Sequence, residues 1–243
     1  MPTDMIYLRD SYLRETHAVV TRVEGHLVFL DRTIFHPKTG GVDNDIGFIL
    51  RESDGFRADV VNVLIDRASG DVAHEVSGLP NTLKPGEIVK CVLNWGRRYR
   101  LMRLHTASHI IAAIMWREFK ALVTGGNVSP DKAYDDYSLE TLDKRVFEDV
   151  IREANEVVRK SLPVKVYWLP REKALKIPGI VKLESRAPPP NLRELRIVEI
   201  PGVDIQADGG PHVRNTSEVG EIVLLKVANK GRRRKRLYFT VRP

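Results

Sequence analysis

Apolar and polar residues alternate through most of the first 93 residues, in short runs separated by turn-forming residues. Ala18–Val23 and His26–Leu30 flank Glu24-Gly25, a pattern that predicts a β-hairpin. Runs rich in β-branched residues between Gly, Pro, Asp and Ser clusters predict further strands at 47–50, 59–65, 72–76 and 87–93. Short strands at such even spacing are typical of a small antiparallel barrel.

The pattern changes after residue 93, where helical and strand periods alternate. The run Ile110–Trp116 contains no Pro or Gly and predicts a helix that starts near His105. An amphipathic pattern predicts a second helix over 141–160, with Thr141 as its N-cap. The remaining patterns predict strands at 133–139, 164–169 and 195–200, a short helix at 170–175, a turn-rich loop at 122–132, an extended loop at 186–190 and a final hairpin at 221–228 and 237–241.

These elements predict two domains. Residues 1–93 should form an N-terminal antiparallel β-barrel, and residues 94–243 a C-terminal α+β domain with helices on a mainly antiparallel sheet. Hydrophobic residues make up 42% and charged residues 29% of the 243, as in a globular protein. No apolar run approaches the roughly 18 residues of a membrane helix, and the N-terminus lacks the plan of a signal peptide, so we expect a cytoplasmic protein.

The net charge of +7 is unevenly distributed. Residues 1–92 contain 10 Lys and Arg against 14 Asp and Glu, whereas residues 93–243 contain 29 against 18. From residue 222 to the end there are eight Lys and Arg and no Asp or Glu. Such a concentration favours contact with the phosphates of a nucleic acid, and the alternative is a solvated edge that prevents strand aggregation.

Two pairs of residues are candidate metal ligands. His105 and His109 stand four apart in the predicted helix, and residues at this spacing lie on one helix face. Asp208 and His212 also stand four apart, across the turn Gly209-Gly210-Pro211. Together they offer up to four ligands of types that zinc accepts. Taken singly, each pair can also be structural: two ordinary helix histidines, and a plain turn.

Two further features permit either a structural or a binding role. Gly40 and Gly41 lie in a loop where consecutive glycines allow positive φ, but no Gly-Lys-Ser/Thr phosphate signature follows. A basic, aromatic-containing stretch at 94–104 includes Arg97 and Arg98, which can contact phosphate or lie solvated. The single cysteine, Cys91, lies in an alternating apolar stretch that predicts a buried structural thiol.

The spacing of these motifs resembles that of a known family. His105-x-x-x-His109 followed by His212 is similar to the editing domain of alanyl-tRNA synthetase and to the freestanding alanyl-tRNA editing proteins of medium length. The related editing domain of threonyl-tRNA synthetase shares this plan. The resemblance covers nearly the whole chain and includes Trp95–His109, Leu169–Glu172, Asn215–Gly220 and the glycine-rich segment Phe35–Gly47.

The chain departs from the family pattern at several positions. Asp208 stands where the family has Cys, and Pro211 where Thr is usual. Thr39, Val42 and Asp43 occupy loop positions where the family has Gly, Gln and Pro. Asp208 keeps a negative ligand but replaces sulfur with oxygen, which changes the expected affinity and metal preference.

The resemblance implies a hydrolase that removes serine, or glycine, from mischarged tRNA(Ala). It implies one Zn²⁺ per chain, held by His105, His109, Asp208 and His212. The candidates for substrate recognition are Thr106, Thr124, Gly209 and Gly210. The candidates for contact with the tRNA acceptor stem are Arg97, Arg98, Lys132, Lys230, Arg232, Arg233, Arg234, Lys235 and Arg236. Two alternatives stay open: a metal-free RNA-binding module of the same fold, and a zinc-dependent esterase acting on small substrates.

Overall fold

The structure is a computed structural model that describes residues 2–78, 82–180, 182 and 192–243. The chain divides into two compact units, of which the first ends at Arg100 and the second begins at Leu101. The predicted extended loop at 186–190 lies outside the described residues. Of the helices in the described ranges, none has the length and apolar character needed to cross a membrane.

The first unit contains a closed barrel of six antiparallel strands in the order β2-β3-β7-β6-β5-β8. A short parallel pair, β1 with β4, lies outside it. The predicted hairpin and the four later strands are all present, so the barrel prediction is confirmed. The strands are β1 (Asp4–Met5), β2 (Glu15–Glu24), β3 (Leu27–Leu30), β4 (Arg32–Thr33), β5 (Gly47–Arg51), β6 (Phe56–Ile65), β7 (Val72–Val76) and β8 (Ile88–Leu93).

Alternate residues of the strands fill the barrel. Val28, Ile49 and Val89 are among the apolar side chains that are almost fully buried in its core. Cys91 is also fully buried, as predicted, and burial raises the pKa of its thiol to about 12. His74 is a polar member of the interior, and its ring lies edge-on to Phe35.

The hydrogen bonds of His74 suit a neutral ring. Its Nδ1 donates to the carbonyl of Val28 (2.9 Å), and its Nε2 accepts from the Thr33 hydroxyl (2.7 Å). Burial lowers the pKa of His74 from 6.5 to about 4, against a smaller opposing effect of the Val28 carbonyl. The folded barrel therefore excludes the charged form of His74, which the unfolded chain adopts readily.

We expect the chain to lose stability as the pH falls through the pKa of an unfolded histidine. Because the folded pKa is depressed, the stabilisation is complete above about 6.5 and is lost progressively toward about 4. Between pH 7.5 and 5.5 the expected loss is about 1 kcal/mol. Urea unfolding of the parent and of His74→Gln at pH 7.5 and at pH 5.5 measures this loss of unfolding free energy. An equal pH dependence in both proteins would show that His74 is not its source.

The long helix α1 (Trp95–Phe119) begins earlier than predicted. Asn94 starts it, because the Asn94 side-chain oxygen accepts from the backbone N–H of Arg97 (3.1 Å). The two candidate histidines therefore lie inside the helix and not at its start. The sequence signal that was missed is Asn94 itself, followed by a stretch without Pro.

The second unit contains two antiparallel sheets, a four-stranded one in the order β14-β15-β10-β9 and a three-stranded one in the order β11-β12-β13. Together with the helices, this arrangement confirms the predicted α+β class. The elements are β9 (Val123–Val128), β10 (Ala133–Tyr137), α2 (Lys144–Arg159), β11 (Lys165–Pro170), α3 (Arg171–Ala174), β12 (Glu194–Ile200), β13 (Asp204–Ala207), β14 (Glu221–Asn229) and β15 (Lys235–Arg242).

Two predictions in this unit are wrong in detail. The segment predicted as a loop contains β9, whose Gly126 lies so close to Asp135 of β10 that an added Cβ would be 2.7 Å from its carboxylate. Here glycine permits close strand approach, a requirement that composition alone does not reveal. The second helix is capped by Asp143 and not by Thr141, since the Asp143 side chain accepts from the Arg145 N–H (2.9 Å).

Candidate metal centre

The helix α1 brings the first two candidate ligands together. His105 and His109 lie on one face of the helix, with ring centroids 4.9 Å apart, and each side chain is almost fully buried. Their spacing of one helical turn explains the contact.

The second pair approaches from the segment that follows β13. The backbone N–H of Asp208 donates to the carbonyl of Arg196 (3.1 Å) and thereby continues the ladder between β12 and β13. The ring of His212 stacks on that of His105 at 4.2 Å. One ligand atom from each of His105, His109, Asp208 and His212 lies within 4.8 Å of all the others, so this cluster can hold a metal ion.

Each histidine turns its Nδ1 away from the cluster. The partners of Nδ1 are the Asp204 carboxylate for His109 (3.0 Å), the Thr106 hydroxyl for His212 (3.0 Å) and the Pro211 carbonyl for His105 (3.4 Å). This arrangement leaves the three Nε2 atoms for a shared ion. Partners of this kind fix the ring orientation of metal-binding histidines.

Sequence reasoning missed the residues that support His109. Asp204 is buried and accepts from Lys182 Nζ (2.5 Å) and from Gln206 Nε2 (2.9 Å), in addition to contacting His109. The signal was available in part, because Asp204, Gln206 and Asp208 alternate with other residues and a strand directs such residues to one face. Lys182 carried no such signal, since only the fold brings it beside Asp204.

The electrostatics of the cluster favour an ionised Asp208 and a neutral His212. Burial opposes the ionised form of Asp208, but the neighbouring charge of His105 and the hydrogen bond from His212 hold its pKa well below the usual value. Burial and the charges of His105 and His109 hold the pKa of His212 well below its usual value. Burial opposes the charged form of His109, but the hydrogen bond to the Asp204 carboxylate raises the pKa of His109 above its usual value. An ionised carboxylate and unprotonated imidazoles are the forms that bind a metal ion.

The two glycines of the turn differ sharply in their surroundings. A Cβ on Gly210 would lie 2.5 Å from Cε1 and 2.7 Å from Nδ1 of His105, whereas a Cβ on Gly209 would meet nothing within 4 Å. We therefore expect Gly210→Ala to displace His105 and to weaken metal affinity at least about tenfold. Gly209→Ala is the matched control. Titration of both apoproteins with Zn²⁺ against a chelator measures the effect, and equal affinities would contradict it.

Three of the residues predicted to contact substrate or tRNA are buried and hydrogen-bonded within the protein. Arg98 is fully buried and paired with Asp45 in the first unit. Lys235 is 2% exposed, and its Nζ donates to the carbonyls of Gly231 (2.8 Å) and Arg232 (2.9 Å). Thr106 is fully buried against His212, so its hydroxyl supports a candidate ligand.

The other predicted residues remain accessible to different degrees. Lys132, Lys230, Arg232, Arg233 and Arg234 are exposed. Arg236 is partly exposed, and its guanidinium forms a bidentate ion pair with the Asp136 carboxylate. Arg97 donates from Nε to the Asn44 carbonyl (2.9 Å). Thr124 lies on β9 and donates to the Asp136 carbonyl (3.3 Å). Gly40 and Gly41 both have positive φ, of 64° and 86°, in a tight turn of the first unit.

Comparison with known proteins identifies the relatives of this chain. Residues 195–238 match the family model described as the threonyl and alanyl tRNA synthetase second additional domain. An alanine–tRNA ligase of Saccharolobus islandicus is 33% identical over 93% of this chain and 25% of the ligase.

Similarity to two freestanding proteins extends over the full length. The alanyl-tRNA editing protein AlaX-M of Saccharolobus solfataricus is 52% identical over 99% of this chain and 100% of its own length. The protein of the same name from Methanosarcina barkeri is 38% identical over 98% of this chain and 99% of its own length. Since identity at this level spans both units, the chain belongs to the AlaX-M family of freestanding alanyl-tRNA editing proteins.

Proposed function

We propose that this protein hydrolyses the ester of mischarged tRNA(Ala), releasing serine, or glycine, at the cluster formed by His105, His109, Asp208 and His212. The convergence of these four candidate ligands, three histidines and one aspartate, at one largely buried point is the observation that carries the proposal. The names of the full-length relatives, alanyl-tRNA editing proteins, support the choice of tRNA.

The proposed cofactor is one Zn²⁺ per chain. Three imidazoles and one carboxylate form a donor set that zinc accepts, and the second partners of the histidines orient the rings for binding. A zinc ion there would supply Lewis-acid activation of the ester carbonyl and of the attacking water. Asp208 contributes oxygen in place of a thiolate, and a harder ion such as Mn²⁺ is therefore the competitor to test.

The proposed reaction is the hydrolysis of the aminoacyl ester by one water molecule. The oxygen of water bonds to the ester carbon, the bond from that carbon to the ribose oxygen breaks, and a proton passes to the ribose oxygen. Asp204 holds His109 in place through the 3.0 Å contact to Nδ1, and Gly210 leaves room for His105. The protein thus contributes a prearranged site, so that little reorganisation accompanies the reaction.

Selection against serine at this site works as a second sieve. An alanine-sized pocket rejects an added hydroxyl only modestly, so a separate hydrolytic site that recognises the hydroxyl restores fidelity. Thr124, Gly209 and Gly210 are the proposed contacts to the aminoacyl group, with Thr106 acting through His212.

The proposed contacts to the acceptor stem are basic residues of the second unit, together with Arg97. The turn between β14 and β15 presents Lys230, Arg232, Arg233 and Arg234 to solvent, with Lys132 exposed and Arg236 partly exposed. An RNA helix is recognised largely through its phosphates and 2′-hydroxyls, which suits such an array. The affinity should therefore fall steeply with added salt.

The decisive experiment compares deacylation of Ser-tRNA(Ala), Gly-tRNA(Ala) and Ala-tRNA(Ala) by protein whose metal content has been measured. We expect rapid release of serine or glycine and slow release of alanine, lost on removal of the metal and restored by Zn²⁺. Tight binding of tRNA without hydrolysis by zinc-loaded protein would overturn the proposal in favour of an RNA-binding module. Hydrolysis of small esters without dependence on tRNA or salt would favour a general esterase.

A further inference from the structure

The three-stranded sheet of the second unit has two unlike faces. One face packs on an apolar cluster that includes Ala174, Ile180, Leu195 and Ile197. The other face carries Asp204 and Gln206, which contact His109. Alternation along each strand assigns every residue to one face or the other. The second face is therefore the one that carries the metal cluster.

An exposed tryptophan lies on this second face. Trp168 of β11 stands opposite Arg196 of β12 in the register of the sheet. Arg196 in turn stands beside Asp208, whose N–H donates to the Arg196 carbonyl (3.1 Å) and whose own carbonyl accepts from Arg196 Nη1 (2.8 Å). Residues opposite one another in an antiparallel sheet point to the same side. Trp168, Arg196 and Asp208 thus form one row that leads to the candidate ligands.

The spacing of this row suits a nucleoside. Adjacent strands lie about 4.8 Å apart, so the backbones of Trp168 and Asp208 are separated by about 10 Å. In an aminoacyl-adenosine ester, one ribose ring separates the ester from the base. A terminal nucleoside whose ester lies at the metal cluster can therefore place its base over the row toward Trp168.

The exposure of Trp168 is unusual for its position. The side chain is 40% exposed, while its neighbour in the row, Arg196, is 8% exposed. Tyr167 and Leu169, on either side of it in β11, turn to the opposite face and pack on the apolar cluster. An indole left in solvent beside a polar site offers a flat π surface, and bases stack on such surfaces in many nucleic-acid sites.

We propose that Trp168 is the platform on which the terminal adenine of the tRNA stacks when its aminoacyl ester occupies the metal cluster. This inference rests on the proposed function. Stacking accepts any base, since every base has a π face, so Trp168 supplies affinity and placement of the ester and does not select adenine.

The test uses Trp168→Ala and Trp168→Phe, with Phe119→Ala as the matched control because Phe119 is an aromatic residue of similar exposure, 42%. Steady-state deacylation of Ser-tRNA(Ala) should show KM raised about 10- to 100-fold in Trp168→Ala with kcat nearly unchanged. Trp168→Phe should restore most of the affinity, and Phe119→Ala should match the parent.

A binding measurement separates this inference from the proposed function. The probes are 3′-serylamino-3′-deoxyadenosine, a stable amide analogue of the substrate terminus, and the same amide on a ribose without a base. Trp168→Ala should weaken binding of the first about 10- to 100-fold and leave binding of the second unchanged. Equal weakening of both probes, or none of the first, would overturn the role of Trp168. Failure of the parent to deacylate Ser-tRNA(Ala) overturns the proposed function instead.

Discussion

Replacing His212 by alanine is expected to remove the metal ion and to lower kcat/KM for Ser-tRNA(Ala) by about 10³-fold or more. His212 is 3% exposed, and its ring lies 4.2 Å from that of His105 and 4.5 Å from that of His109. Its loss therefore removes a central candidate ligand and leaves only the contact between the rings of His105 and His109. Metal analysis after dialysis and single-turnover deacylation measure the two effects.

The matched control for this variant is His26→Ala. His26 is exposed in the turn between β2 and β3, and its replacement should leave metal content and activity at the parent values. Circular dichroism must show that His212→Ala is folded. A folded His212→Ala that keeps one zinc per chain would contradict the assignment of His212 as a ligand.

Asp208→Ala tests the least conventional candidate ligand of the cluster. Three histidines remain in this variant, so its loss of metal affinity should be smaller than that of His212→Ala. Asp208 also accepts from the Gly210 N–H (2.6 Å), and its removal therefore loosens the turn that brings His212 to the site. Full zinc and full activity in Asp208→Ala would leave a three-histidine centre with Asp208 as a turn residue.

Removing the buried guanidinium of Arg98 is expected to cost about 3–5 kcal/mol of unfolding free energy. Arg98 and Asp45 are 0% and 1% exposed, and Arg98 also donates to the carbonyls of Ser11 (2.8 Å) and Ile34 (2.6 Å). Arg98→Met leaves the Asp45 carboxylate buried without its cation, and this desolvated charge accounts for most of the expected loss. Urea unfolding of the two proteins measures the difference.

A surface pair provides the control for this prediction. Arg9 and Asp4 form an ion pair at 2.7 Å, but their side chains are 57% and 50% exposed. Arg9→Met should therefore cost less than about 1 kcal/mol of unfolding free energy. The double variant Arg98→Met with Asp45→Asn should be less destabilised than the sum of its single changes, because the buried charge is removed with its partner. If Arg98→Met and Arg9→Met lost equal amounts of unfolding free energy, burial would not govern the strength of these ion pairs.

Local patterns determined much of the fold. Alternation and turn residues predicted the barrel strands, because strands of a barrel have one face in the core and one in solvent. The spacing of His105 and His109, and of Asp208 and His212, predicted both halves of the cluster that can hold a metal ion. Each half is local in sequence, so one helical turn and one tight turn suffice to define it.

Only the tertiary structure decided which of these residues meet and which are withdrawn from solvent. Arg98 and Lys235 read as surface charges in the sequence, yet the fold buries both, because their partners come from distant or turn segments that no local pattern reveals. The same holds for Lys182 beside Asp204 and for the row from Trp168 to Asp208. The sequence by itself determined the kinds of candidate ligand, the barrel and the family, since these depend on patterns of residues along the chain. Their joining into one site depended on sheet register and long-range packing, which arise only when the chain folds.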